Sequence, residues 1–405
     1  MSTRKSVIFS LILVFLGLFV IELLTRGAFR LYGRYDTWGY QTKNVEFRPY
    51  IGFASSPYDG GTDRYGFKLD SNDDPERNLE IKDDCEFRIF LLGGSTVAGR
   101  FPDSPEDTLS FRLEQLLIEQ FPAGISFSVI NAGKGGYISV QTVLQHALYI
   151  KYSLKPDFVV HFDGSNDSVG SPANWPKGTY LGLRDNIHSH TEQVFSKINS
   201  MSTFRGILNA TLRNLANYSA FVFALHKTIN TPSVWRRKML DVDILQEGDI
   251  EITEWVDRHV NRYIYNVKLA ASFGDQNTGV AYFFQPTMLL YMKDLLSSRE
   301  KLFLNLSDYP TDFHGFPLWE SKQLFYFRVR EELEKFSANN RPEFSTIADL
   351  SKLFDNKSPT DQYFGDHVHY TGEARVVIAN AIANIIESKI QKQILVSQRF
   401  SQCGM

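Results

Sequence analysis

The most constraining feature of this 405-residue chain is an apolar stretch that ends in two glycines and a serine. Five of the six residues from Phe87 to Leu92 are bulky and apolar, and Arg88 alone interrupts the run. Such a run predicts a strand that is buried on both faces, as in a parallel sheet. Gly93 and Gly94 then permit a sharp turn. Ser95 follows at the carboxyl end of this strand, where ligands bind in open α/β sheets.

Two interpretations of this serine stay open at this point. A serine just beyond the end of a buried strand is well placed to act as a nucleophile. The alternative is an ordinary strand-to-helix turn in which Ser95 or Thr96 caps the following helix. The residues that come later in the chain have to decide between them.

Strand and helix patterns alternate along the rest of the chain, which predicts a parallel sheet with helices on both faces. The further predicted strands lie at 125–130, 157–162, 279–284 and 345–350, and the predicted helices at 107–121, 140–152, 254–273, 318–336 and 374–390.

The next two strand ends also carry residues that suit a binding site. Asn131–Tyr137 is rich in glycine, which permits close backbone approach and leaves N–H groups free to face a ligand. Asp163–Asp167 contains Asn166, whose amide is a suitable donor to an oxyanion. Each segment alone favours a plain turn, because Gly, Ser, Asn and Asp are the usual turn residues. Their succession on consecutive strand ends favours a site.

A fourth segment supplies the groups that would activate a serine. Asp366 and His369 are three residues apart, so they would share one face of a helical turn. A carboxylate in that position can orient the imidazole, whose other nitrogen would take the proton of Ser95.

Two other interpretations of this segment compete with the first. His367 together with Asp366 and His369 could hold a metal ion, although no further ligand cluster has convincing spacing. The segment could also start a helix, with Thr371 as the cap and Glu373 in the first turn, which is compatible with a catalytic role.

The N-terminus reads as a membrane anchor. Ser6–Ile21 is uncharged and mostly apolar, and its length is close to the roughly 20 residues that span a bilayer. No small-residue cleavage site follows it, which favours an uncleaved anchor over a signal peptide. The run is apolar all round, which disfavours a buried core helix. We therefore expect a transmembrane helix within residues 1–30.

The remaining boundaries follow from composition. Residues 31–85 are predicted to form an irregular connector, and residues 86–395 the main α/β domain with a helical insertion at about 171–276.

Charge and cysteine content limit the class of protein further. The net charge of −3 does not indicate the basic surface that nucleic-acid binding requires. Cys85 and Cys403 are too few for a disulfide framework. The favoured interpretation leaves both unpaired, and pairing in an oxidising compartment is the alternative.

Taken in order, the four segments resemble the motifs of the SGNH hydrolases, also called the GDSL-like lipases and esterases. The matching segments are Gly93–Thr96, Asn131–Tyr137, Gly164–Asp167 and Asp366–His369. Gly94 stands where the family has aspartate, a position outside the triad. Each motif alone is unspecific, and the ordered set of four carries the resemblance, which extends over residues 86–391.

The resemblance implies a three-layer α/β/α sandwich with a five-stranded parallel sheet, like that of flavodoxin. It implies Ser95 as nucleophile, His369 as base and Asp366 as the group that orients it. The oxyanion would be held by the N–H groups of Ser95 and Gly136 and by the side chain of Asn166. No metal or organic cofactor is needed.

The leading hypothesis is therefore a membrane-anchored serine esterase that hydrolyses or transfers an acyl group, such as acetyl, on a carbohydrate or lipid. By analogy the catalytic domain would lie outside the cytoplasm. A polysaccharide O-acyltransferase would use the same residues. A non-catalytic anchored scaffold that keeps the fold is the alternative from a different class.

Overall fold

The structure is a computed structural model. It describes residues 3–31, 45–58, 61–70, 73–99, 104–121, 123–169, 211–212, 215–216, 218–230, 252–288, 296–303, 318–339, 343–356, 358–366 and 368–403. Two compact units make up the chain: residues 1–47 with 187–245, and residues 48–186 with 246–405.

The described residues form helices and strands with the following bounds. The α-helices are α1 Thr3–Leu31, α2 Leu109–Gln120, α3 Ser139–Gln145, α4 Ala220–Asn230, α5 Ile252–Ala271, α6 Ser298–Phe303, α7 Leu318–Asn339 and α8 Gly372–Val396. The strands are β1 Val45–Arg48, β2 Gly52–Ser55, β3 Glu86–Gly93, β4 Ser126–Asn131, β5 Phe158–Asp163, β6 Gly279–Phe284 and β7 Ser345–Asp349. Single 3₁₀ turns lie at Pro105–Asp107, Asp167–Val169 and Gln398–Gln402.

The larger unit is built on a five-stranded sheet in the order β4-β3-β5-β6-β7. All four pairings are parallel. The predicted α/β fold with a central parallel sheet is therefore confirmed. The strand β3 lies inside the sheet between β4 and β5, which is why the sequence around it is apolar on both faces.

Helices cover both faces of the sheet. Alternate residues of β6 show the division, because Phe283 belongs to the core under α2 and α8, whereas Phe284 belongs to the core under α3, α5 and α7. The helix α5 lies in the range predicted as an insertion, and it packs on the sheet. Of the predicted range, residues 171–210, 213–214, 217 and 231–251 lie outside the described residues.

The charged residue within the apolar strand has a full set of partners. Arg88 is 3% exposed, and its guanidinium lies against the carboxylate of Glu86 at 2.7 Å. It also donates to the carbonyl oxygens of Leu79, Ile81 and Leu154. A buried charge is tolerated when it is paired and hydrogen-bonded in this way. Arg88 therefore interrupts the apolar pattern without breaking the strand.

One predicted helix continues in a different form. The pattern at 140–152 predicted a single α-helix, whereas α3 ends at Gln145 and a π-helical turn follows over His146–Ile150. The turn brings the His146 ring to 3.0 Å from the His161 ring on β5, measured between nitrogens. Single π-helical turns within helices occur mostly where a side chain has to be placed specifically.

The smaller unit contains α1 and α4. The Glu22 carboxylate on α1 accepts hydrogen bonds at the start of α4, from the Ser219 hydroxyl at 2.7 Å and from the Ala220 and Phe221 N–H groups at 2.9 and 3.0 Å. The helix predicted within residues 1–30 is present in the structure as α1. In the part of the chain that the structure describes, however, no helix combines the length and apolar character that a bilayer crossing requires. The predicted transmembrane span is not found there.

Cys85 and Cys403 form a disulfide across a sequence separation of 318 residues. The favoured interpretation, that both cysteines are unpaired, was wrong. The 3₁₀ turn Gln398–Gln402 lies beside the start of β3, where the rings of Phe400 and Phe87 pack with centroids 5.8 Å apart. This packing brings the two ends of the domain together, which a pattern of sequence alone does not reveal.

We expect the double substitution Cys85→Ser/Cys403→Ser to lower the free energy of unfolding by about 2 to 5 kcal/mol, because the disulfide closes a long loop in the unfolded chain. Urea unfolding followed by circular dichroism measures this difference. A reducing agent should lower the stability of the native chain and leave that of the double variant unchanged. If the native chain and the double variant were equally stable without a reducing agent, the assignment of a structural disulfide would be contradicted.

Candidate active site

Ser95 lies in the turn that follows β3. The N–H groups of Val97 and Ala98 both donate to the Gly94 carbonyl, at 3.2 and 3.0 Å, and close the turn directly after the strand. A Cβ atom at Gly93 would collide with the Phe162 carbonyl of β5. Only glycine lets the backbone come this close to its neighbour strand. The turn leaves the Ser95 side chain half-buried at the carboxyl edge of the sheet.

His369 connects this serine to a carboxylate. Its Nε2 lies 2.7 Å from the Ser95 Oγ, and its Nδ1 lies 2.7 Å from the Asp366 Oδ2. The imidazole is 6% exposed, so water has little access to either contact. The three residues predicted from widely separated segments therefore form one continuous hydrogen-bonded chain. Their catalytic roles stay a prediction.

The segment that carries Asp366 and His369 differs from the expected helical turn. It is a loop, closed by a bridge between Phe364 and Tyr370 and by the Gly365 N–H, which donates to the His369 carbonyl at 2.8 Å. The helix α8 starts only at Gly372. Thr371 is its N-cap, with its side chain accepting from the Ala374 N–H. The side chains of Asp366 and His369 meet because the loop folds back on itself, and no helical turn is needed.

Asp366 is held in its ionised form. Burial alone would raise its pKa, but the hydrogen bonds from the His369 side chain and from the N–H groups of His369 and Val368 outweigh burial and hold the pKa well below the ordinary value. Both N–H groups donate to the Oδ1 oxygen at 2.8 Å. This leaves Oδ2 for the imidazole. The carboxylate is thus fixed in position and charge, and it selects the tautomer of His369 that carries a proton on Nδ1.

The predicted oxyanion donors lie around the space beside the Ser95 side chain. The Asn166 Nδ2 donates one hydrogen bond to the Tyr137 carbonyl at 2.7 Å, and a side-chain amide has a second hydrogen to offer. Gly136 has a positive φ of 84°, which glycine adopts without cost. Within the described residues, the N–H groups of Ser95 and Gly136 donate to no protein acceptor. A Cβ atom at Gly135 would be 3.8 Å from the Ser95 Cβ, so the glycine loop lies directly against the serine.

Gly94 makes room for Asn166. A Cβ atom at this position would lie 2.6 Å from the Asn166 Nδ2 and 3.3 Å from the Tyr137 carbonyl oxygen. A side chain at position 94 would therefore displace the amide.

Sequence reasoning missed the buried groups that hold these loops. The Asp167 carboxylate accepts from the Ser139 N–H at 3.0 Å and from the Ser139 hydroxyl at 2.5 Å, which joins the asparagine loop to the start of α3. Asp163 accepts from the hydroxyls of Thr142, at 2.9 Å, and Tyr282. The sequence predicted no role for either aspartate side chain. Their position on either side of the asparagine motif was the available signal.

Burial dominates the titration of these two aspartates. It raises the pKa of Asp163 to about 6 and that of Asp167 well above the ordinary value, while the hydrogen bonds from Tyr282 and Ser139 oppose the rise. Each carboxyl group has its partners within the protein. Asp167 thus joins the asparagine loop to the start of α3, and Asp163 joins the end of β5 to α3 and β6.

The metal interpretation of this segment has no support from the described part of the chain, which contains no group of three or more His, Cys, Asp or Glu side chains arranged to hold a metal ion. His367 lies outside the described residues. Both ring nitrogens of His369 are engaged, one by Ser95 and one by Asp366.

Comparison with models of protein families finds no match to this sequence. Comparison with curated proteins finds none either.

Solved structures similar to this chain include acylhydrolases and esterases. The lipase/acylhydrolase from Enterococcus faecalis is 14% identical with a TM-score of 0.36, covering 75% of this chain and 96% of that one. A member of the lipolytic protein G-D-S-L family from Veillonella parvula is 10% identical with a TM-score of 0.36, covering 74% and 98%. An acetyl xylan esterase from Geobacillus stearothermophilus is 13% identical with a TM-score of 0.33, covering 74% and 94%.

We expect Gly94→Ala to slow the reaction of Ser95 with a fluorophosphonate probe by about 10- to 100-fold, because the added methyl group displaces an oxyanion donor by a fraction of an ångström or more. The rate of labelling, read by intact-protein mass spectrometry, measures the effect. Combining Gly94→Ala with Asn166→Ala should react no more slowly than Asn166→Ala alone, since the methyl group acts through Asn166. If Gly94→Ala were labelled at a rate within twofold of the native rate, the position of the Asn166 amide would not matter for the reaction of Ser95.

Proposed function

We propose that this chain is a serine esterase of the SGNH type, which transfers an acyl group from an ester to water through Ser95. The observation that carries the proposal is the hydrogen-bonded chain from the Ser95 Oγ through His369 to Asp366, with 2.7 Å at each step. Nucleophile, base and orienting acid in hydrogen-bond reach are the signature of nucleophilic catalysis.

The geometry supports the following sequence of steps. The Ser95 oxygen attacks the ester carbonyl while its proton passes to the Nε2 of His369. Asp366 stabilises the imidazolium that forms. When the tetrahedral intermediate collapses, His369 gives the proton to the leaving alkoxide, and an acyl-enzyme remains. Water then attacks this ester with His369 as base, and the carboxylic acid leaves with Ser95 restored.

The negative charge of the tetrahedral intermediate would be held by the N–H groups of Ser95 and Gly136 and by the Asn166 amide. Donors that are already oriented cost no reorganisation when the charge develops. Asn166 fits this requirement because its amide is anchored on the Tyr137 carbonyl before any substrate arrives. The side chain therefore needs no rotation during the reaction.

The substrate proposed is an acyl ester, such as an acetyl ester, of a carbohydrate or a lipid. This part of the proposal comes from the resemblance of the four sequence motifs to the SGNH hydrolases. Transfer of the acyl group to a sugar hydroxyl instead of water would use the same residues. Consumption of an acyl donor, measured with and without a sugar acceptor, distinguishes the two.

We also propose that the chain is attached to a membrane with its catalytic domain outside the cytoplasm. Large apolar side chains of α1 are exposed along the helix, including Phe15 at 68% and Phe19 at 60%. Exposed apolar surface of this extent is typical of a membrane or protein contact. The Cys85–Cys403 disulfide supports an oxidising compartment, since disulfides are rare in the cytosol.

We expect Ser95→Ala to abolish hydrolysis of p-nitrophenyl acetate, because no other group on this path supplies a nucleophile. Asn166→Ala should lower kcat by about 10² to 10³ while leaving a measurable rate, since one oxyanion donor is lost. Steady-state kinetics on purified protein measure both.

Three results would contradict these assignments. A native rate in Ser95→Ala would remove Ser95 from the reaction. A decrease of only about twofold in Asn166→Ala would place this amide outside the oxyanion hole, because that is far below the effect of losing a donor. Failure of a fluorophosphonate to label Ser95 in the native chain would favour the non-catalytic scaffold.

For the membrane proposal, we expect the full chain to float with phosphatidylcholine vesicles in a density gradient. The double substitution Phe15→Lys/Phe19→Lys should abolish flotation, because each charge is costly to place in the bilayer. Phe327→Lys is the matched control, since Phe327 is exposed to 55% on α7 of the larger unit. Flotation of the double variant equal to that of the native chain would contradict α1 as the attachment site.

A further inference from the structure

A buried lysine lies beside the asparagine loop and has no role in the steps above. Lys322 is on the first turns of α7 and is 2% exposed. Its Nζ donates to the Ser165 hydroxyl at 2.9 Å. Ser165 is itself 1% exposed and directly precedes Asn166. The ammonium group therefore touches the residue next to the proposed oxyanion donor.

Keeping a lysine in this position is costly. Burial lowers the pKa of Lys322 to about 7, and the attraction of the Asp366 carboxylate only partly opposes this. A charged group in the interior is expensive unless it is well paired, and the partner here is a neutral hydroxyl. A methionine would fill a similar volume without the cost of burying a charge. The presence of lysine therefore points to a requirement other than stability.

The loop that Lys322 contacts is tightly folded. Gly164 has a φ of 122°, a conformation that suits glycine. The Ser168 hydroxyl and N–H group donate to the carbonyls of Ser165 and Gly164, at 2.6 and 3.1 Å. With its backbone bonded in this turn and its side chain bonded to Lys322, Ser165 has little freedom to move. The backbone of Asn166 starts from this fixed point.

A second anchor holds the loop on the other side of Asn166. Asp167 bonds to Ser139 at the start of α3, as described above, and Asn266 on α5 donates to the same Ser139 hydroxyl at 2.8 Å. Asn166 is thus placed between two buried side-chain contacts. One of them, through Ser139, connects it to the Gly136 loop, and the other connects it to α7.

We propose that Lys322 is a positioning residue, whose Nζ holds the Gly164–Asp167 loop through Ser165 so that the Asn166 amide faces the space beside Ser95. The inference rests on the proposed function for its catalytic consequence. The contact itself does not depend on that function. Lys322 touches neither the substrate nor the reacting atoms in this assignment, and it acts through Ser165 and Asn166.

The test compares Lys322→Met with the native full-length chain in the hydrolysis of p-nitrophenyl acetate. We expect kcat to fall about 10- to 100-fold, because a small displacement of a catalytic group has effects of this size. KM should stay within about twofold, since binding of the ester does not use the lysine. The melting temperature should be equal or higher, because the buried charge is gone. A purely structural role would instead lower stability and activity together.

Four further variants sharpen the comparison. Ser165→Ala should reproduce the loss in kcat, and the double variant should be no slower than the slower single variant, because both substitutions break one contact. Lys322→Arg should recover part of the rate, since it keeps a charged donor. Lys335→Met, on the exposed side of the same helix, should have the native kcat.

A readout without catalysis separates this inference from the proposed function. Amide hydrogen exchange by mass spectrometry should be about tenfold faster over residues 164–168 in Lys322→Met, because local opening becomes easier when an anchor is lost. Unchanged exchange in this segment would overturn the inference. So would a kcat within twofold of native in a chain whose Ser95 is active. If the native chain has no Ser95-dependent turnover, the proposed function fails and hydrogen exchange alone decides the positioning role.

Discussion

The parallel alignment of β4, β3 and β5 is the constraint on which the rest of the structure depends. Leu91 of β3 pairs with Asn131 of β4, and Gly93 pairs with Phe162 of β5, so three strands end at one edge of the sheet within a few residues of each other. The loops that follow cannot separate widely, because each starts from a neighbouring strand end. The serine turn, the glycine loop and the asparagine loop share one space for this reason. Small residues at the strand ends make the approach close enough for hydrogen bonds.

The loop that carries Asp366 and His369 is held at this space by a different interaction. It lies near the end of the domain, far from Ser95 in sequence, and a buried ion pair holds it in place. Arg375, 1% exposed on α8, bonds to the Asp107 carboxylate at 2.5 Å and to the Tyr370 carbonyl at 2.7 Å. One guanidinium thereby joins Asp107, two residues before α2, to Tyr370, the residue after His369. A buried pair of this kind contributes little net stability, but breaking it is costly, so it specifies where the loop docks.

Much of the fold was predictable because the pattern of apolar residues along the sequence indicates which residues are buried. The strand β6 was predicted at Gly279–Phe284 and lies there in the structure, and the apolar runs of β3 and β5 were equally clear. The hydrogen-bonded chain from Ser95 through His369 to Asp366 joins residues that each stand in a short motif, whereas their catalytic roles stay a prediction. The conformation of the Asp366–His369 loop was not predictable, because a spacing of three residues suits both a helix and a tight loop. The pairing of Cys85 with Cys403 depended on the packing of Phe400 on Phe87, which no local pattern encodes.

The sequence by itself therefore determined the class of fold and the residues that can carry the chemistry, because both are written in local composition: apolar runs, glycines at turns, and polar side chains at strand ends. Tertiary structure alone decided which polar groups meet. The link between Asp167 and Ser139, the space that Gly94 leaves for Asn166, and the burial of Lys322 against Ser165 all join segments distant in sequence. Such contacts depend on the geometry of packing in three dimensions. The orientation of each donor at the site depends on them.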